Sequence, residues 1–401
     1  MKKYLSLSFL YNFLAMNSIY VSSIAFTLIT YPIMIDRIGL SEWGGIVLII
    51  SLASLVTMIV EFGLNLTGME WCIKKTFDNH KDILFNVFFI KLLFWLAIIS
   101  IYFSYVVFFG FNTNQFIGFI FIPLAEVFQT SWYLQIRKEL NKYVVVFLTP
   151  KIIGAILIFF FAYEPYPVEI YLTLYVLSTL IPNAIVFINV LMNDGNSHVE
   201  LKYSLLKNLI SDAWPIMISK FIGMLKDRAS IFFIYTYTSQ YDVGVFDVGN
   251  KIYQLIINPV YMFVTLIFPD LKSDQNERRL VVKRSFHIIL LVSFLACASI
   301  YGISTFFVNE FRTICQVTSI LILSIPFLYL SSLVSNIYML GVNPKYITYT
   351  SIFSLLVMLI PSVILGEKGL LTSKTMSVTF LISCISEAVI RYLMSKDRFN
   401  K

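Results

Sequence analysis

The sequence predicts an all-α integral membrane protein of about twelve transmembrane helices, arranged as two six-helix bundles related by a parallel pseudo-repeat. Three observations predict it. Twelve long apolar runs fill the 401 residues almost end to end, and the gaps between them are too short to hold a soluble domain. Charged residues make up 13% and apolar residues 58% of the chain, and its mean hydropathy is +0.80; an average soluble domain has about 25% and 45–50%. A water-soluble fold is excluded.

A bilayer core takes roughly 20 apolar residues of helix, each satisfying its own backbone in lipid. The first run, at about 9–35, follows Met1-Lys2-Lys3 and imitates a secretory signal. It is too long and has no small-residue cleavage site, so it reads as a retained span. The next five lie at about 44–67, 84–108, 115–136, 144–163 and 168–192. The polar stretch Asn193 to Lys207 follows as a natural hinge, dividing residues 1–198 from 199–401. The second six lie at about 209–237, 243–268, 285–308, 312–340, 346–365 and 375–394. In the seventh, Lys226-Asp227-Arg228 would be an outer loop only if the remainder, too short to cross, inverted the later topology. One long bent helix is the better reading.

The net charge of +7 invites a nucleic-acid partner until the cations are sorted by loop. Alternate gaps then put on one side Lys2, Lys3, Lys74, Lys75, Lys81, Arg137, Lys138, Lys142, Lys202, Lys207, Lys272, Arg278, Arg279, Lys283, Arg284, Lys345, Arg391, Lys396, Arg398 and Lys401. The other side has Arg37, Arg312, Lys368 and Lys374. By the positive-inside rule both termini are cytoplasmic, and no nucleic acid is implied. The four cysteines and three histidines are scattered, without the spacing of a disulfide framework or a metal site.

An even number of spans per half returns the second half to the same side, and the sequence carries an echo of this at an offset of 200. Glu42-Trp43-Gly44, between spans one and two, corresponds to Asp242-Val243-Gly244, between spans seven and eight. Parallel repeats of this kind characterise transporters with substrate sites near the bilayer midplane. Seven prolines, Pro32, Pro123, Pro182, Pro215, Pro259, Pro326 and Pro361, fall within or at the ends of spans and permit kinks.

Ordered local patterns then carry a family resemblance. Tyr31-Pro32, Arg37-Ile38-Gly39, Trp43-Gly44 and Glu61-Phe62-Gly63-Leu64-Asn65, followed in the second half by Val243-Gly244, Phe246, Lys251-Ile252, Pro259 and Pro269, resemble the Wzx-type O-antigen flippases. These belong to the polysaccharide transporter family of the multidrug/oligosaccharidyl-lipid/polysaccharide exporter superfamily. The likeness covers about residues 30–270; Trp132-Tyr133-Leu134-Gln135 stands where the family's span-four motif has a glycine. The resemblance implies an inner-membrane transporter, not an enzyme, that moves undecaprenyl-diphosphate-linked oligosaccharide to the periplasmic leaflet by alternating access. Membrane lipids, and the polymerase and chain-length regulator of the same pathway, are the partners it suggests.

Ionised residues inside a bilayer cost at least about 2.5–3.5 kcal/mol each, so each must face a partner or water. Lys220 and Lys251 fall near the midplane, with Arg228 close by in sequence, and these three cations are the candidates for holding a diphosphate. Lys220 has no close acidic neighbour in sequence. Asp227 shares a helix face with Lys220, and Asp247 precedes Lys251 by four and can pair with it. Glu126, near the midplane, and Glu61, about two thirds of the way inward, join Asp227 and Asp247 as candidates for proton or sodium coupling or for structural pairing. Lys91 and Lys151, near the cytoplasmic ends, read as snorkelling. No cofactor or nucleotide motif is visible. An O-antigen polymerase and a multidrug or small-ion exporter of the same superfamily remain alternatives; the outer gaps of about ten residues or fewer lack the large loop of the former, and the latter would favour an acidic cavity.

Overall fold

The computed structural model describes residues 7–73, 80–137, 139–161, 167–193, 200–271, 275–305, 310–335 and 345–399. Lys2, Lys3, Lys74, Lys75, Lys138, Lys272 and Lys401, together with hinge residues 194–199, lie outside these. Among the described residues the regular structure is entirely helical. Nine stretches are long and apolar enough to cross a membrane. One of them, Val21–Ile73, is long enough to contain two spans. Helices α9 (Tyr203–Tyr237) and α10 (Gln240–Leu271) are not among the nine, but their 35 and 32 residues would also reach across.

The outer gap expected between the first two spans is instead a single-residue break. Helix α1 (Leu7–Glu61) runs through it, interrupted only at Gly39, whose φ of 79° a side chain would resist. A sharper break ends α1, where Phe62 and Gly63 both take positive φ, 48° and 76°, before α2 (Leu64–Ile73) begins. A phenylalanine there is uncommon. Gly63 is required twice over, because an added Cβ would also lie 2.9 Å from the Ala213 carbonyl oxygen.

Helices α3 (His80–Phe109), α4 (Thr113–Phe116), α5 (Ile122–Val127), α6 (Ser131–Arg137), α7 (Leu140–Phe161) and α8 (Pro167–Asn193) complete the first half. The fourth span is thus three short helices, with a π-helical turn at Ile117–Phe121 just ahead of Pro123, which lacks an amide donor. The seventh span is one helix through Lys226-Asp227-Arg228. The second half continues with α11 (Gln275–Ser304), α12 (Glu310–Ile322), α13 (Ile325–Val334), α14 (Lys345–Glu367) and α15 (Ser373–Phe399). Pro326, at the start of α13, splits the tenth span, which the sequence reads as one run.

The chain divides into two compact units: Met1–Gly39 with Ile49–Phe221, and Leu40–Leu48 with Ile222–Lys401. The division falls inside α9, whereas the sequence reading places its hinge at Asn193 to Lys207. The reason is visible in α9 itself. Leu205, Leu209 and Ala213 recur every four residues and bury one face in the core of the first unit, with Phe62, Leu84, Trp132, Phe147 and Phe187. In the second unit the two echoed glycine motifs meet. A Cβ on Gly44 would lie 1.9 Å from the Gln240 carbonyl oxygen, and one on Gly244 would lie 2.7 Å from that of Leu40. The contacts are reciprocal at the same offset of 200, which joins the two glycines physically as well as in sequence.

Candidate functional site

Two intramembrane cations of the first unit, Lys91 and Lys220, pair with carboxylates. The Lys91 ammonium is fully buried and lies 2.8 Å from Glu126 Oε1. It also donates to Asn65 Oδ1 at 2.7 Å and to the Glu126 carbonyl at 3.1 Å. Asn65 Nδ2 donates in turn to Glu126 at 2.9 Å and to Gln129 at 2.7 Å. Lys91 therefore does not snorkel: a carboxylate, a side-chain amide and a main-chain carbonyl accept its three ammonium protons. Lys151 does not snorkel either. It is buried and donates to Ser22 at 3.1 Å and to Ser23 at 2.5 Å.

Lys220, without an acidic neighbour in sequence, has one in space. Its Nζ lies 2.8 Å from Glu61 Oε1, with Lys220 one-third exposed and Glu61 buried. The partner comes from the break between α1 and α2, and the tight seat of Gly63 against Ala213 and Met217 brings that break onto α9. Phe62 packs on Trp214, with ring centroids 5.5 Å apart, and the Trp71 indole donates to Asp212 at 3.0 Å. A separation of 159 residues hides this pair from any sequence-local rule.

In the second unit the buried carboxylates lie among several cations. Asp247 is buried and lies in the electrostatic field of Lys251, four residues on, and of Arg228. Asp227 is exposed on α9 and interacts with both Arg228 and Lys226. Arg228 and Lys251 are half-buried. The structure thus gathers Arg228, Lys251, Asp227 and Asp247 in this unit, while Lys220 and Glu61 belong to the other.

A further cluster escaped the sequence reading. Lys226 lies 2.8 Å from Glu387 Oε2, and Glu387 Oε1 lies 2.7 Å from Arg391. Hydroxyl groups complete the shell: Lys226 donates to Ser354 at 2.7 Å, and Arg391 donates to Ser331 at 2.7 Å, Ser351 at 2.8 Å and Thr350 at 3.0 Å. Arg391, counted by sequence among the cytoplasmic loop cations, is therefore a buried residue of α15; its i,i+4 spacing from Glu387 was the available signal. Lys81, also counted there, is buried and donates to the Leu191 carbonyl at 3.0 Å. Among the described residues no group of three metal-ligating side chains forms.

The model of the family described as polysaccharide biosynthesis protein matches residues 9–273. This chain belongs to that family. No curated relative matches the polysaccharide biosynthesis family member in sequence. Its fold is similar to that of solved transporters. An inward-facing multidrug resistance MATE family transporter of the MOP superfamily matches with TM-score 0.64 at 16% identity, over 99% of this chain and 95% of the other. An outward-facing one matches at 0.59 and 12% identity, over 98% and 94%. A MOP superfamily transporter from Pyrococcus furiosus, described as having a binding pocket of reverse polarity, matches at 0.52 and 14% identity, over 98% and 92%. The family member is a multi-pass membrane protein whose fold is similar to that of solved transporters.

Proposed function

We propose that this protein flips undecaprenyl-diphosphate-linked O-antigen or related polysaccharide repeat units from the cytoplasmic to the periplasmic leaflet of a bacterial inner membrane, by alternating access. One observation carries the reading: a polysaccharide biosynthesis family match on a chain folded as a membrane transporter. A transporter in that pathway has the lipid-linked sugar as its natural cargo, since the sugar head cannot cross lipid unaided.

The intramembrane cations support an anionic cargo. Lys220, Arg228 and Lys251 are each partly accessible, and a diphosphate can compete with a carboxylate for such groups through charge-assisted hydrogen bonds. Glu61 and Asp247 then act as internal stand-ins for the cargo's charge, holding the cations when no substrate is bound. Outward movement of negative charge against an inside-negative potential is favourable by about 2.3 kcal/mol per charge per 100 mV. Proton or sodium coupling through Glu61, Glu126, Asp227 or Asp247 is a further part of the proposal, and the polymerase and chain-length regulator of the pathway are the proposed protein partners.

Deleting the gene tests the reading by what accumulates. Single lipid-linked repeat units should build up facing the cytoplasm, with no surface polysaccharide. If surface lipid A instead carries one repeat unit and no longer chains, translocation is intact and the reading is wrong.

A further inference from the structure

The fourth span is broken twice inside the first unit. A π-helical turn at Ile117–Phe121 precedes α5, and α5 ends at Val127 before α6 begins at Ser131. Three main-chain carbonyls in and beside these breaks take a side-chain donor from another span. That of Ile120 accepts from the Trp95 indole at 2.8 Å, that of Ala125 from Asn183 at 3.0 Å, and that of Glu126 from Lys91 at 3.1 Å. The first two donors are neutral. At Glu126 the donor is a cation.

The Lys91 ammonium sits in a shell of three oxygens: Asn65 Oδ1 at 2.7 Å, Glu126 Oε1 at 2.8 Å and the Glu126 carbonyl at 3.1 Å. That carbonyl stands in the last turn of α5, the end of a helix that favours positive charge. Asn65 cannot turn its amide group around, because its Nδ2 already donates to Glu126 and to Gln129. Its oxygen is therefore held toward the ammonium. A carboxylate, an amide oxygen and the carbonyl at the end of a half-helix are what discontinuous membrane helices offer to a coordinated monovalent cation. The distances exceed the roughly 2.0–2.6 Å of magnesium and calcium ligands, so the shell suits a monovalent ion of ammonium size. Lys91 is fully buried, whereas the Glu126 side chain keeps 13% exposure, which leaves an approach to the shell at the carboxylate.

We propose that this is a monovalent-cation site whose ion is built into the chain. Lys91 Nζ occupies the place a potassium or ammonium ion would take, so the first unit carries this counter-charge permanently and neither binds nor releases an ion here. The inference rests on the flippase reading for its bearing on coupling: it takes Glu126 out of the carboxylates that exchange ions and leaves Glu61, Asp227 and Asp247. A salt bridge with no other role makes a different demand. With Lys91 removed, Glu126 would then take up a proton, and no ion would enter.

The test compares full-length protein in phosphatidylcholine nanodiscs with Lys91→Ala and with the double variant Lys91→Ala, Glu126→Gln. Rubidium serves as tracer for potassium, and choline is the control cation, too large for the shell. Lys91→Ala should bind about one more rubidium ion per chain than the parent, and should melt higher in potassium than in choline at equal ionic strength. The double variant should return to the parent level in both measurements, and magnesium should fail to displace the tracer. If Lys91→Ala does not accumulate in cells, cell-free synthesis into nanodiscs reads the same site as yield of folded protein, higher in potassium than in choline. Parent-level rubidium binding by folded Lys91→Ala, or equal yields in the two salts, would overturn the inference and leave Lys91 and Glu126 as an ion pair alone. Displacement by magnesium at equal concentration would overturn the monovalent assignment. The flippase reading is tested separately by gene deletion, so the two can fail independently.

Discussion

The two units solve the same electrostatic problem differently. In the first, two intramembrane carboxylates each have one cation, Glu126 with Lys91 and Glu61 with Lys220. In the second, Glu387 is shared by Lys226 and Arg391, and Asp247 lies in the field of both Lys251 and Arg228. A one-to-one pair is neutral and can be permanent. A shared carboxylate leaves positive charge incompletely balanced, which costs stability in a dry interior but leaves attraction available for an incoming anion. The difference teaches where to look for cargo binding: at the half-buried Arg228 and Lys251 rather than at the sealed Lys91.

The comparison can be broken most forcefully at Glu387. Glu387→Ala strands two buried cations at once, and removal of one partner from a buried pair typically costs about 3–5 kcal/mol. We expect little folded protein in the membrane, measured as abundance and as melting temperature after extraction. A near-normal melting temperature would show that the hydroxyl shell alone suffices and that the shared arrangement is not under strain.

Glu126→Gln should cost less. It strands one cation and keeps an amide oxygen for Lys91, so a loss of about 1.5–3 kcal/mol is expected, read as a lower melting temperature with transport retained in the surviving protein. Transport lost without a change in melting temperature would move Glu126 from structure to coupling.

Gly44→Val and Gly244→Val test the reciprocal contact on which the second unit closes. Each added side chain meets backbone rather than a flexible side-chain end, at 1.9 and 2.7 Å from the first carbon alone. Overpacking of this kind costs about 1–3 kcal/mol, so both variants should melt lower, and to similar extents if the two sites are equivalent. A loss confined to one of them would break the equivalence.

The finest distinction concerns Lys220. Lys220→Glu faces Glu61 with a second carboxylate and should abolish surface polysaccharide at normal abundance, because the one-third-exposed site can rehydrate. Lys220→Arg should retain much activity. The exchange Glu61→Lys with Lys220→Glu separates the two roles: a structural pair recovers, whereas a cargo-binding cation must stand on α9 and does not. Full export by Lys220→Glu would remove Lys220 from the cargo path.

The spans and their number were legible because lipid imposes a single requirement, a run of apolar residues long enough to cross, and each run reports on that requirement locally. The nearness of Lys251 to Asp247 along one helix was legible for the same reason, as i,i+4 positions share a face in any fold. The echo of Gly44 in Gly244 was also readable, although nothing in the sequence said that the two motifs touch.

Pairing between distant helices was not legible. Snorkelling and burial make the same demand on a lysine near a span's end, and only the placement of Glu126 and Asn65 around Lys91 decided for burial. The choice of Glu61 for Lys220 depended on a backbone break at Phe62 and Gly63 and on how closely α9 approaches it. The cluster of Lys226, Glu387 and Arg391 required two spans distant in sequence, α9 and α15, to converge. Sequence by itself determined that the chain lies in a membrane and how often it crosses, because these follow from solvation residue by residue. Tertiary structure alone decided which charge neutralises which, because that depends on distances of about 3 Å set by helix packing, to which hydropathy is blind.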